Sequence, residues 1–209
     1  MKPDKSIRTF DPARLAYFEK ENWVAYYQKR WLRLLQVSVG MAKEAFGLTT
    51  WQALQAAYLV GRAEIAAAPF PDNDIARAEA YMRRFYGLVQ RVHHETFDVD
   101  QAARLEVNWW VVHRRLFGQA DNQPLVDALV DLYAATFRVP PERVHEAAYR
   151  RAEAMRYSDR WVNESRASDS PLLVQVEAEL LRSYTALRAV VEAPPVGATA
   201  SLTAGSRAN

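Results

Sequence analysis

Residues 99–117 combine carboxylate, imidazole and indole side chains at helical spacing. In a helix, Glu106, Trp110 and His113 lie on one face, because four and three positions separate them. A histidine oriented by a carboxylate is suited to act as a general base, since its ordinary pKa lies near neutrality. The alternative is a half-buried helix edge, which we adopt as the first interpretation, because Trp and His are commonly part-buried with one polar tip satisfied.

His113 also raises the question of a cofactor. It could serve as an axial ligand for a haem held between helices, or for a metal ion, but no second motif supports either arrangement. Glu142 and His145 have the spacing found in carboxylate-bridged metal bundles, which need a second such pair that this chain lacks. Glycine-rich phosphate loops, nucleophile elbows and zinc-binding helices are absent from the sequence. We therefore predict no cofactor and no metal.

Two charged residues, Arg62 and Glu64, interrupt residues 51–67, a segment that is apolar on nearly all sides and is predicted to be a buried helix. A buried charge is costly unless it is paired or solvated in a polar cavity. One interpretation is that Arg62 or Glu64 faces a ligand cavity shared with Glu106 and His113. The other is that each pairs with a neighbouring helix or extends to the edge of the fold.

Capping residues, prolines and glycines predict the helices that position these side chains. Asn22 resembles an N-cap and divides a long periodic run into two helices. The longer of the two has an inner face formed by Tyr27, Trp31, Leu34, Leu35, Ser38 and Ala42. The predicted segments are residues 12–20, 23–46, 51–67, 75–93, 99–117, 124–137, 142–164 and 171–192.

No segment alternates with the period of a β-strand, and no interior linker or repeat divides the chain. The sequence therefore predicts an all-α fold, a single-domain bundle-like array of six to eight helices within residues 11–192. Residues 1–10 are predicted to form a flexible arm. Residues 193–209 are small, polar and rich in Pro, Gly, Ser and Thr, so we expect a disordered tail.

Composition excludes several classes of protein. The net charge is +2 from 27 basic and 25 acidic residues, which does not form the basic field expected of a nucleic-acid-binding protein. No apolar run is long enough to span a membrane. The chain contains no cysteine, which fits a reducing compartment, so we expect a cytoplasmic protein.

The chain contains six Trp, ten Tyr and eight Phe residues but no recognised catalytic motif. Because interfaces favour Trp, Tyr and Arg, we expect a non-catalytic helical domain that binds a protein partner or a small apolar ligand and self-associates. The alternative is a helical-bundle enzyme or cofactor-binding protein whose pocket is centred on Glu106 and His113. The candidate ligand-binding residues are Glu106, Trp110, His113, Arg62 and Glu64.

Overall fold

Eight α-helices and no strand occur in residues 6–69, 71–119 and 121–192, which are the residues that this computed structural model describes. The all-α fold is therefore confirmed, whereas the predicted tail at residues 193–209 lies outside the described residues. The helices are α1 (Pro12–Tyr27), α2 (Trp31–Phe46), α3 (Thr50–Ala67), α4 (Ile75–His93), α5 (Val99–Leu116), α6 (Gln123–Phe137), α7 (Pro141–Glu164) and α8 (Pro171–Val191).

Short polar side chains cap several helix N-termini, as the sequence predicts. Asp11 accepts hydrogen bonds from the amides of Ala13 and Arg14 at the start of α1. Asp98 accepts from the Gln101 amide at the start of α5, 3.0 Å away. Each contact satisfies a backbone donor that has no partner within its own helix, which is why these residues set the helix starts.

The predicted boundary between the first two helices is wrong. Asn22 lies inside α1, where its side chain donates a hydrogen bond to the Ser38 hydroxyl of α2 instead of capping a helix. The break falls at residues 28–30, where Lys29 takes a left-handed conformation with φ 58° and the Arg30 amide bonds back to the Ala25 carbonyl. This helix ending usually employs glycine, so the sequence carried no signal for it.

Contacts between the helices close a ring. Each helix packs against the next one in the chain, and α8 packs against α1. Most buried apolar side chains belong to one continuous core. A smaller cluster, formed by Val24, Trp161, Val162, Leu172 and Leu173, joins α1 to α7 and α8.

Residues 6–10 pack against the helices, although they precede the predicted domain boundary at residue 11. Ile7 and Phe10 are buried in the core, and Arg8 donates a hydrogen bond to the Phe137 carbonyl at the end of α6. The expectation of a flexible arm therefore does not hold for residues 6–10, because two apolar side chains anchor this segment. Residues 1–5 lie outside the described residues.

Helix α3 is less buried than its apolar sequence predicts. Its Ala53, Ala56, Leu59 and Ala63 side chains are buried, but Trp51 is 81% exposed. The helix packs against both α2 and α4 along this buried stripe, and apolar composition alone did not reveal which side is covered. Within the described ranges, no helix combines the length and apolar character needed to cross a lipid bilayer.

Candidate ligand cavity

The ring of helices surrounds a partly open cavity with two adjoining chambers. The inner chamber, of about 380 Å³, is lined by side chains from all eight helices. The outer chamber, of about 560 Å³, has the exposed residues Tyr26, Arg114 and Phe117 on its wall, so it opens toward solvent. Eight residues line both chambers and mark where they meet: Asn22, Trp23, Trp31, Leu34, Gly61, Glu64, Trp109 and Trp110.

Several large apolar side chains that line the cavity remain exposed to solvent. Trp31 is 59% exposed, Leu35 is 49% exposed and Ile65 is 69% exposed, although all three line a chamber. The predicted inner face lines the cavity, since all six of its residues line one chamber or the other; five of them lie on α2, whereas Tyr27 is the last residue of α1. This face borders an open space and not a packed core. Its apolar surface is therefore available to a ligand.

Gly61 lies at the junction of the chambers, in the middle of α3. A Cβ atom built on Gly61 would have no atom within 4 Å beyond its own helix backbone. A glycine in a helix interior lowers helix stability relative to alanine. No neighbouring residue packs so closely that only glycine would fit at this position. The effect of Gly61 is therefore to leave space open in the cavity.

A buried ion pair lies in the wall of the inner chamber. Arg151 on α7 donates to Glu19 Oε1 on α1 from Nη2 at 2.7 Å and from Nε at 3.0 Å. The hydroxyl of Tyr184 donates to the other carboxylate oxygen, and the Tyr133 hydroxyl lies 3.4 Å from Arg151 Nη1. Burial opposes the charge of Arg151, but the Glu19 carboxylate outweighs this effect and keeps the arginine pKa well above its usual value.

This polar network continues through an indole ring to Glu106. The guanidinium of Arg151 lies 4.8 Å from the centre of the Trp109 ring, a cation–π distance. Trp109 Nε1 donates to Glu106 Oε1 at 2.9 Å, and the Tyr86 hydroxyl donates to Oε2 at 2.6 Å. Burial and the Glu106 charge raise the pKa of Tyr86 well above its ordinary value, so it stays protonated as a donor.

Glu64 lines both chambers, and its environment differs from that of Glu106. Within the part of the chain that the structure describes, no hydrogen bond or opposite charge acts on its carboxylate. The carboxylate is accessible to water in the cavity, yet protein surrounds it. This burial, together with the negative charge of Glu106, raises its pKa from 4.5 to about 7.

His113 lies on the wall of the outer chamber and contacts a carboxylate, but not the one the sequence suggested. Its Nε2 lies 3.2 and 3.3 Å from the two oxygens of Asp159 on α7, whereas Glu106 bonds to Tyr86 and Trp109. Asp159 is buried and also accepts from the Gly118 amide. A tautomer with hydrogen on Nε2 donates to Asp159 and leaves Nδ1 free to accept a proton.

The structure brings four of the five candidate residues to the cavity wall. Glu64 and Trp110 line both chambers, His113 lines the outer chamber and Glu106 the inner one. Arg62 does not line either chamber: its guanidinium lies over the Tyr81 ring, 5.3 Å from the ring centre, and near the Tyr58 hydroxyl. Arg62 therefore lies at the helix edge, because side chains two positions apart on a helix point about 160° away from each other.

Sequence reasoning missed the residues that complete the cavity, although some of them carried a signal. Glu19 follows Leu15 by four positions, and Arg151 follows Ala148 by three, so each charge occupies a core position of its helix. Two opposite charges at core positions predict a buried pair. Asp159 carried no comparable signal, since its contact with His113 joins two distant helices.

Among the described residues, no cluster of three or more His, Cys, Asp or Glu side chains is arranged to hold a metal ion. The fold and the cavity together define an all-helical protein whose ring of helices surrounds a largely apolar chamber. No protein-family model, curated protein or solved structure matches this chain. Its function is therefore argued from the cavity.

Proposed function

We propose that this protein binds a small, largely apolar ligand in the two-chambered cavity. The observation that carries the proposal is that Trp31, Leu35 and Ile65 are solvent-exposed apolar side chains that line the chambers. Apolar surface facing water is unfavourable by roughly 25 cal/mol per Å², and an apolar ligand would remove it from water. Chambers of about 560 and 380 Å³ fall within the roughly 300–1,000 Å³ typical of ligand pockets.

Substitutions at Gly61 test this proposal directly. Gly61→Leu places an isobutyl group in the space between the chambers without a clash at Cβ. We expect it to abolish binding of the neutral apolar dye N-phenylnaphthylamine, measured by dye fluorescence, while the thermal midpoint is kept or raised. Gly87→Ala on α4 is the matched control, because Gly87 lies outside both chambers.

Unchanged dye binding in Gly61→Leu, in a protein that remains folded by circular dichroism, would show that the dye does not enter the cavity. Solvent extraction of the purified protein followed by mass spectrometry gives an independent measurement. A retained ligand is expected from the unmodified protein and not from Gly61→Leu. If the same compounds are recovered from both proteins, cavity binding is contradicted.

A second candidate function, proton transfer by His113, is supported by the Asp159 contact. The pair lies on the wall of the outer chamber, so a bound molecule would lie beside the imidazole. The test is to incubate the protein with its ligand in deuterated buffer and to measure the mass of the recovered ligand. If the protein is an enzyme, we expect the ligand to change in mass or isotope content, and we expect His113→Gln to stop that change. His145→Gln on the exposed side of α7 is the control.

The protein partner or self-association expected from the sequence stays a proposal. Leu32, Trp51 and Tyr58 support it, because they are exposed and lie outside both chambers. Sedimentation velocity of the unmodified protein and of Leu32→Glu tests it. A concentration-independent monomer in both samples would contradict self-association.

A further inference from the structure

The charges around the cavity differ in how well they are already paired. Glu19 accepts hydrogen bonds from Arg151 and Tyr184, and Glu106 accepts from Tyr86 and Trp109. Both oxygens of each of these carboxylates already accept from protein donors, so a ligand would have to share them with those donors. A ligand that enters the cavity would therefore find Glu19 and Glu106 already hydrogen-bonded to other residues of the wall.

Glu64 is the exception, because its carboxylate has no partner among the described residues and lies where the two chambers meet. The charge that acts on it is that of Glu106, which has the same sign. A carboxylate that surrounding protein desolvates in part, and that no protein group pairs with, is stabilised by a cation placed beside it. The carboxylate oxygens of Glu64 can therefore accept hydrogen bonds from a positively charged group of a ligand.

Indole rings line the same part of the cavity as this carboxylate, and one of them, Trp109, already lies against the Arg151 guanidinium. Trp23, Trp31, Trp109 and Trp110 line both chambers together with Glu64. The face of an indole attracts cations, and it does so most strongly where water is excluded. Indoles and one unpaired carboxylate at the same place favour a cation over an anion or a neutral polar group.

Positive side chains on the wall are engaged elsewhere. Arg151 is held by Glu19, and Arg114 donates a hydrogen bond to the Ala68 carbonyl at the edge of the outer chamber. Neither forms an ion pair with Glu64. Among the described residues that line both chambers, Glu64 is therefore the only one with an ionisable side chain.

We propose that the ligand is an amphipathic cation, with an ammonium group beside Glu64 and the indoles and an apolar body in the chambers. This inference rests on the proposed function, because it names the chemical class of the ligand that the cavity binds.

Three probes with the same ten-carbon chain separate the alternatives: decyltrimethylammonium, decanol and decanoate. Binding is measured by quenching of tryptophan fluorescence, since indoles line the site. We expect the ammonium probe to bind about tenfold more tightly than the alcohol. Decanoate should bind most weakly, because Glu64 and Glu106 repel it.

Glu64→Gln should remove the preference for the ammonium probe and keep the affinity for decanol. Glu142→Gln, which neutralises an exposed carboxylate at the start of α7, is the matched control and should keep the preference. Gly61→Leu should weaken all three probes, which tests cavity binding independently of charge.

The outcomes distinguish the two proposals. A preference for decanol or decanoate in the unmodified protein, or a cation preference that survives Glu64→Gln, would overturn the cationic ligand while leaving cavity binding in place. If none of the probes binds, or if Gly61→Leu leaves all three affinities unchanged, the cavity-binding proposal itself is contradicted.

Discussion

Glu19 on α1 and Arg151 on α7 form a buried ion pair although 132 positions separate them in the chain. Arg151 Nη2 lies 2.7 Å from Glu19 Oε1, and both side chains are almost fully buried. The pair joins two helices that are not neighbours in the ring, and it forms part of the inner chamber wall. The ion pair therefore contributes both to the stability of the fold and to the wall of the cavity.

Breaking this pair from one side should destabilise the protein strongly. Glu19→Gln leaves the Arg151 charge buried without its counter-ion, so we expect a loss of about 3–5 kcal/mol in the free energy of unfolding, measured in urea. Glu177→Gln is the control, because its partner Lys20 forms an ion pair at a more exposed position and the loss should be about 1 kcal/mol or less. Equal losses in the two variants would contradict the interior role of Glu19.

The three helix-interior glycines Gly40, Gly61 and Gly87 should respond differently to alanine. Gly61→Ala should stabilise the protein by about 0.5–1 kcal/mol, since its Cβ meets open space. Gly87→Ala should give a similar gain, because its only close contact is the flexible Arg91 side chain. Gly40→Ala should cost about 1–3 kcal/mol, because its Cβ would clash with the Phe18 ring. Thermal unfolding of the three variants checks this order.

Glu64 should make the stability of the ligand-free protein depend on pH. Its folded-state pKa of about 7 exceeds the ordinary value of 4.5, so the folded state binds more protons than the unfolded state between these values. The stabilisation is complete below pH 4.5 and is lost as the pH rises through 7. Water in the cavity solvates the carboxylate in part, which makes the effect smaller than complete burial would give.

Comparison with Glu64→Gln isolates this titration from that of Glu19, Glu106, His113 and Arg151, which also face the cavity. The difference in unfolding free energy between the variant and the unmodified protein should shift in favour of the variant from pH 4.5 to pH 8. A difference that is independent of pH would show that Glu64 titrates as an ordinary surface carboxylate.

Trp109 and Trp51 provide a matched pair of tryptophan truncations. Trp109→Ala removes a buried ring and the donor to Glu106, so it should cost about 3–5 kcal/mol. Trp51→Ala removes a ring that is 81% exposed and should change stability by about 0.5 kcal/mol or less. Chemical denaturation measures both values, and a small effect at Trp109 would mean that the ring does not belong to the core.

His113→Ala should cost about 1–2 kcal/mol, because buried Asp159 then loses a hydrogen-bond partner and keeps the Gly118 amide. His145→Ala, at an exposed position of α7, should have little effect. The measurement is the urea midpoint at pH 7. Loss of a chemical change in the ligand without this loss of stability would instead favour a catalytic role for His113.

Local sequence determined the class of the fold and most helix boundaries. Residues such as Asp11, Asp98 and Ser170 cap helices through contacts within three positions, so their effect can be derived without knowledge of the rest of the chain. The helical period also identified the inward face of α2 and the shared face of Glu106, Trp110 and His113. These features follow from backbone geometry over one or two turns.

Tertiary structure alone decided what those faces meet. The period of α2 points Trp31 and Leu35 inward, but only the packing of the helix ring leaves a cavity in front of them. Likewise, Asp159 reaches His113 and Glu19 reaches Arg151 across helices that are distant in sequence. Helical periodicity fixes the direction of a side chain relative to its own axis, whereas its partner depends on how the helices pack, and that information is not local.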